Sequence, residues 1–142
     1  MRDTKREQKG EVHVRVRLSN AVDVTLVHEG KLQADRVRSC EVDALVDTGA
    51  TRSIIPQDVF QQLGLSILRQ AVGQLADGNE APTGFSSAIV FELEDRMTIE
   101  GAYVLGDAVL IGQTILESTD LLVDCTNHKL IPRHRNGPVH RL

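Results

Sequence analysis

Aromatic side chains are scarce in this sequence: three Phe, one Tyr and no Trp in 142 residues. Only Phe60, Phe85, Phe91 and Tyr103 could offer a ring to a base, so stacking on single-stranded nucleic acid has little to work with. The net charge of −4 points the same way, since a nucleic-acid partner calls for a basic surface. Long apolar runs are lacking too, and nothing approaches the roughly 18 residues of a membrane span. Met1 to Gly10 is charged and lacks the apolar core of a secretory signal. The expectation is a cytoplasmic protein with neither membrane nor nucleic acid as partner. Cysteine is sparse: Cys40 and Cys125 lie far apart with no CxxC spacing, which fits two free thiols better than a disulfide. No Gly-rich loop ending in Lys is present to cradle a phosphate. His128, His134 and His140 are not at helical spacing, and Pro132 and Pro138 interrupt them. No metal site and no cofactor are expected.

What the chain does have is aliphatic residues. Apolar positions make up 41%, mostly Val, Leu and Ile, a composition that favours strands. The length suits one domain. Residues 1–10 read as a flexible polar N-terminus, 11–132 as a single domain, and 133–142 as a basic C-terminal tail. That tail holds Arg133, Arg135 and Arg141 without an acid. It reads as solvated and frayed, or more sharply as a segment that steers a phosphate or a substrate.

Val12, Val14, Val16 and Leu18 alternate with polar residues, the period of a half-buried strand. Val22, Val24 and Leu26 alternate again after Ser19-Asn20, so 11–28 is predicted to be a hairpin. Val37 to Val46 reads as a strand, Ser53-Ile54-Ile55 as a short one, and Pro56 to Leu63 as a helix stopped by Gly64. Residues 66–76 look extended and run into Asp77-Gly78, a signal for a type I′ turn. Ala81 to Leu93 and Met97 to Leu105 are predicted to pair around Glu94-Asp95. After Val109-Leu110-Ile111-Gly112, one or two helical turns follow, then strands at Leu121-Leu122-Val123 and Lys129-Leu130-Ile131. The sum is mainly β: a small closed barrel with one or two short helices.

The chemically informative segment is Leu45-Val46-Asp47-Thr48-Gly49-Ala50. A strand delivers an acid into a turn of small residues. Gly49 permits close approach of a ligand to backbone, and Thr48 can hydrogen-bond across to other backbone. An acid on a rigid turn is poised for chemistry. Alone, Asp-Thr-Gly is a weak signal, because Asp-containing turns often only satisfy their own backbone.

Its context is more specific. Asp47-Thr48-Gly49-Ala50 follows two apolar residues and precedes Ser53-Ile54-Ile55-Pro56, a helix closing at Leu63-Gly64-Leu65, and then Val109-Leu110-Ile111-Gly112 with Leu116 and Leu122-Val123-Asp124. From Val37 to Pro132 the sequence resembles the retropepsins, the retroviral-type aspartic proteases, and their bacterial and cellular relatives. The resemblance implies a retropepsin-like barrel active as a homodimer, with Asp47 as catalytic aspartate. Thr48 would brace the two active-site loops, and Gly49 and Ala50 would present backbone to a bound peptide. Arg52 would lie by the substrate, where viral members often carry an acid, which suggests a preference for acidic residues. Asp77, Gly78 and Asn79 would form a flap over the substrate. Ile111 and Gly112 would support the active-site loop from beneath. Gln113 departs from the Arg or Asn common at that point in retroviral members.

Such chemistry needs two aspartates, and the chain has one Asp-Thr-Gly. Asp124 lacks the following Thr-Gly and is a poor second copy. A two-fold homodimer supplies the second Asp47, and the partners implied are a second copy and a peptide or protein substrate. Two other functions compete with the endopeptidase: a non-catalytic, homodimeric peptide- or protein-binding module of the same fold, and an unrelated small β domain that binds nucleic acid. Cys125 has no His in a recognisable arrangement beside it, and is expected to be a small buried hydrophobe rather than a nucleophile.

Overall fold

The alternation of Val14, Val16 and Leu18 sets the first strand. A computed structural model describes residues 10–142, so the flexible N-terminus expected over 1–10 lies almost wholly outside the described residues. Strand β1 (His13–Asn20) buries Val14, Val16 and Leu18 on one face and exposes His13, Arg15 and Arg17 on the other. It pairs antiparallel with β2 (Ser39–Val46), and its last residues pair with β6 (Ile89–Leu93).

The second arm of the expected 11–28 hairpin is instead a helix, α1 (Ala21–His28). Asn20 decides this. Its side-chain oxygen accepts the N–H of Asp23 at 3.1 Å, an N-cap that starts the helix where a hairpin would turn. Its side-chain amide donates to the Leu63 carbonyl at 2.9 Å, which ties the cap to the core. Asp23, itself buried, takes Arg38 Nε and Nη2 at 2.9 Å each and the Arg38 backbone N–H at 3.0 Å. The hydrogen bonds and charge of Arg38 hold the Asp23 carboxyl below the usual range, against the opposing effect of burial. With α2 (Gln57–Gln62) and α3 (Gln113–Thr119), the α-helices number three among the described residues, one more than expected, and a 3-10 turn lies at Ala34–Arg36.

The remaining strands are β3 (Ile54–Ile55), β4 (Ile67–Gln74), β5 (Glu80–Ser86), β7 (Arg96–Glu100), β8 (Tyr103–Val104), β9 (Leu110–Ile111), β10 (Leu121–Asp124) and β11 (Lys129–Pro132). Nine form one sheet in the order β4-β5-β8-β3-β9-β2-β1-β6-β7, and β10 and β11 form a separate pair. The mainly β class is as expected. Among the described residues the barrel is not hydrogen-bonded all the way round, however: β4 and β7 are its edges, so the sheet is a half barrel rather than closed. Its inner face packs Val16, Leu18, Ala44, Ile89, Phe91 and Ile111 against Leu63 and Ile115 from the helical segments. No helix among the described residues is long and apolar enough to cross a membrane.

The turns differ from expectation in an informative way. Positive φ at two consecutive residues occurs at Glu94 (50°) and Asp95 (60°), between paired Leu93 and Arg96, so that two-residue turn has the type I′ signature. At Asp77-Gly78 only Gly78 has positive φ (88°). The Gly78 N–H reaches the Leu75 carbonyl at 2.9 Å and the Leu75 N–H reaches the Asn79 carbonyl at 2.7 Å, a wider three-residue hairpin loop.

The C-terminal residues are docked rather than frayed. Asp120, buried at the left-handed end of α3, accepts from the His134 ring at 2.7 Å and the Val139 N–H at 3.1 Å, with Arg96 at 3.6 Å. Burial raises the Asp120 carboxyl, but the bonds from His134 and Val139 and the charges of His134 and Arg96 outweigh it and hold it below the usual range. Cys40 is half-buried and Cys125 is exposed, so Cys125 is not the buried residue expected.

Candidate active site

Asp47 is placed by a parallel pair at the middle of the sheet. β2 runs beside β9 with Leu45 opposite Leu110 and Val46 opposite Ile111, so both strands end at one point. Beyond that point the Asp47 N–H donates to the Ile111 carbonyl at 2.9 Å. The loop turns at once: the Ala50 N–H reaches the Asp47 carbonyl at 3.1 Å, and the Gly49 N–H donates to Asp47 Oδ1 at 3.0 Å. The carboxylate is therefore aimed by its own loop, and it remains half-buried at the surface of a cleft.

Gly112 lies under this loop. A Cβ there would stand 2.6 Å from the Arg52 carbonyl carbon and 3.0 Å from the Ser53 nitrogen, so no side chain fits. Its N–H is taken by the hydroxyl of fully buried Ser53 at 3.0 Å. The Gln113 and Thr114 N–H groups, at the start of α3, donate to the Ala50 and Thr51 carbonyls at 2.8 and 3.0 Å. Ser53 was read from the sequence only as part of a strand. A small hydroxyl residue embedded before Ile54-Ile55 was the available signal for its bracing role.

Asp47, Gly49 and Ala50 line a cleft of about 670 Å³ whose other walls include Leu45, Ile54, Leu105, Asp107 and Leu110. It is roofed by Gln74, Leu75 and Ala76 of the β4–β5 hairpin. A second cleft of about 490 Å³ continues from Gly49 and Ala50 past Thr51 and Arg52 to Val72, Thr83 and Tyr103. The two share Gly49, Ala50, Ile54, Gln74 and Leu105, so they form one trough under the hairpin.

The expected site residues thus divide. Asp47, Gly49, Ala50 and Arg52 converge on the trough, and Ile111 and Gly112 lie behind it. Asp77, Gly78 and Asn79 do not line it. They form the hairpin tip, where Asp77 is occupied by the Asn79 backbone N–H at 2.9 Å and the Asn79 side-chain amide at 3.0 Å. The preceding residues Gln74 to Ala76 cover the trough instead. Asp107, Leu105 and Ile54 also line it, although the sequence assigns none of them to the site: Asp107 reads there as turn chemistry and Ile54 as part of a short strand.

Thr48 faces the other way. It lines a separate groove of about 580 Å³ with Gln113, Leu116, Glu117 and the β10 residues Leu121 to Val123. Its hydroxyl makes no hydrogen bond to another described residue. Asp124 is spent on structure, since its carboxylate holds the β10–β11 turn through the Thr126 and Asn127 N–H groups and the Asn127 amide. Those bonds keep its carboxyl below the usual range. Among the described residues no group of three or more His, Cys, Asp or Glu is arranged to hold a metal.

Comparison with known proteins bears on the fold and the family. Among solved structures, the retroviral protease-like domain of Ddi1 from Leishmania major aligns with a TM-score of 0.51 at 16% identity, over 85% of this chain and 88% of that one. That likeness establishes the retropepsin-like fold. EIAV protease in complex with the inhibitor HBY-793 aligns over 54% of this chain and 75% of its own, at 19% identity and a TM-score of 0.41. The foamy viral protease-reverse transcriptase bound to an RNA/DNA hybrid aligns over 75% of this chain at 14% identity and a TM-score of 0.47, but the chain spans only 12% of that protein. A search of curated protein sequences gives no match. The family described as "gag-polyprotein putative aspartyl protease" matches residues 34–118, more than half of the chain and including the whole Asp47 loop, Ser53 and Gly112. The chain belongs to this retropepsin-like aspartyl protease family.

Proposed function

We propose that the protein is an aspartic endopeptidase that works as a homodimer, with water activated between the Asp47 carboxylates of two subunits. The observation that carries this reading is the Asp47 carboxylate, aimed by its own loop on the floor of an open trough, with Thr48 of the same loop turned to a groove outside it. One subunit has half of what the reaction needs. A second copy related by a two-fold axis supplies the other half and gives Thr48 a partner loop to bond with. The groove beside Thr48 offers a docking face, with Leu122 45% exposed on β10.

The chemistry follows from charge. Two carboxylates at hydrogen-bonding distance do not both ionise, so the pair keeps one proton. The ionised member takes a proton from the water between them, and the protonated member polarises the scissile carbonyl. Water adds directly, with no acyl-enzyme. The Gly49 N–H fixes Asp47 Oδ1 and leaves Oδ2 for water or for the second carboxylate. The β4–β5 hairpin closes over the peptide and excludes bulk water.

The test compares cleavage of a diverse peptide mixture by wild type and Asp47→Asn between about pH 4 and pH 7. The expected result is cleavage that falls about a thousandfold or more in the variant, since a general base is lost. Sedimentation in the same buffer should give a dimer. A dimeric wild type that cuts nothing would overturn the endopeptidase and leave a peptide-binding module.

A further inference from the structure

The trough is charged unevenly. On one side its charged lining residues are acids, Asp47 and Asp107. On the other side, beyond Ala50 and Thr51, its one charged lining residue is Arg52. Arg52 does not stand alone there. Its guanidinium carbon lies 5.8 Å from the centroid of the Phe85 ring, and that of Arg69 lies 5.0 Å from the same centroid. Neither arginine is ion-paired with a carboxylate of the described residues, whereas Arg15, Arg17, Arg38 and Arg96 each are.

The ring under them is fixed. Tyr103 meets Phe85 edge to face, with centroids 5.0 Å apart and planes at 68°. Gly101 leaves room for the ring, since a Cβ at that residue would stand 2.7 Å from Phe85 Cε2. Stacking on an aromatic ring engages the flat face of a guanidinium and leaves its in-plane N–H donors free. Those donors match the two oxygens of a carboxylate. Two guanidinium groups within about 6 Å of one ring centroid raise the local positive potential, which favours an anion beside Arg52.

We propose that Arg52, supported by Arg69 on the shared Phe85 platform, forms a subsite that selects an acidic side chain, Asp or Glu, of the bound peptide. This rests on the protease reading and adds a substrate class to it. Arg52 makes the contact, because it lines the trough. Arg69 lies on exposed β4 and raises the local positive potential. The apolar neighbours Val72 and Tyr103 take the methylene stem of the side chain.

The experiment uses the full chain and a peptide set in which Glu, Gln and Lys are walked through each position. Cleavage by wild type is measured near pH 6, where Glu is ionised, and binding of the same labelled peptides to Asp47→Asn is measured by fluorescence anisotropy. At one position Glu should be preferred over Gln by about tenfold or more in both assays, the range of a hydrogen bond to a charged group. Arg52→Gln should bring that ratio towards one. Arg52→Glu should reverse it, so that the Lys peptide is preferred at that same position, a gain that a misfolded protein does not produce. Equal handling of Glu and Gln everywhere, a ratio indifferent to Arg52, or no binding of any peptide overturns the subsite. Cleavage without preference leaves the protease standing and removes the subsite. Selective binding of Glu peptides by a wild type that never cuts does the reverse.

Discussion

Asp47 and Asp77 each accept a hydrogen bond from the backbone N–H two residues on, at 3.0 and 2.9 Å, yet the loops around them are held differently. The Asp47 loop is tied to distant chain. Ile111, Gln113, Thr114 and Gly112 all bond to residues between Asp47 and Ser53. Every hydrogen bond at the Asp77 loop closes within Leu75 to Asn79, and β4 beside it is largely exposed. Segments with few long-range bonds and little burial open at low free-energy cost, while segments tied into the core open only with the fold. The floor of the trough is thereby tied into the core while its roof is held only locally, a division that suits the peptide entry and closure proposed above.

The sharpest way to break this contrast is Gly112→Ala. The added Cβ would push into Arg52 backbone at 2.6 Å, which cannot swing aside as a side chain could. The expected cost is about 2–3 kcal/mol of stability, as for overpacking of a tight site. It should be read as a lower midpoint in urea, together with loss of cleavage. Ser53→Ala should cost less, about 1–2 kcal/mol, because it strands the buried Gly112 N–H without a partner. Hydrogen exchange would locate that loss at Gly112 and its neighbours. Gly78→Ala should cost about 1 kcal/mol, from placing a Cβ at φ 88° in open space. Its effect should be confined to KM and to exchange of the 75–79 amides, with exchange around Asp47 unchanged. Faster exchange of both loops in Gly78→Ala would mean that floor and roof are one unit after all.

The floor was the more legible part of this sequence. Asp47-Thr48-Gly49 and Leu110-Ile111-Gly112 are short, local and rigid, so their residue types follow from what the backbone requires. The roof was read less well. Asp77-Gly78 does mark the turn, but hairpin loop length decides which residues overhang the trough, and a wider loop moved that role back to Gln74, Leu75 and Ala76. At α1 the alternation of Val22, Val24 and Leu26 imitates a strand, although the segment is helical. Asn20 and Asp23, a cap and an acid at helix-start spacing, carried the contrary signal. Glu94-Asp95 gave no warning of a type I′ turn, since neither residue favours positive φ as Asn or Gly does. The pairing of Arg96 with Asp120 joins elements distant in sequence, which no local pattern reveals.

That last pairing bears on how the protein is made. His134 and Val139 are the groups that close around the Asp120 carboxylate. During synthesis they leave the ribosome after every strand of the sheet. A nascent chain that has reached Pro132 holds the whole Asp47 loop and the lining of the trough, yet the buried Asp120 still waits for residues a few places further on. Closure around the Asp120 carboxylate thus has to follow the emergence of residues 133–139, and a ribosome stalled just short of them would leave the strands in place but the end of α3 without its His134 and Val139 partners.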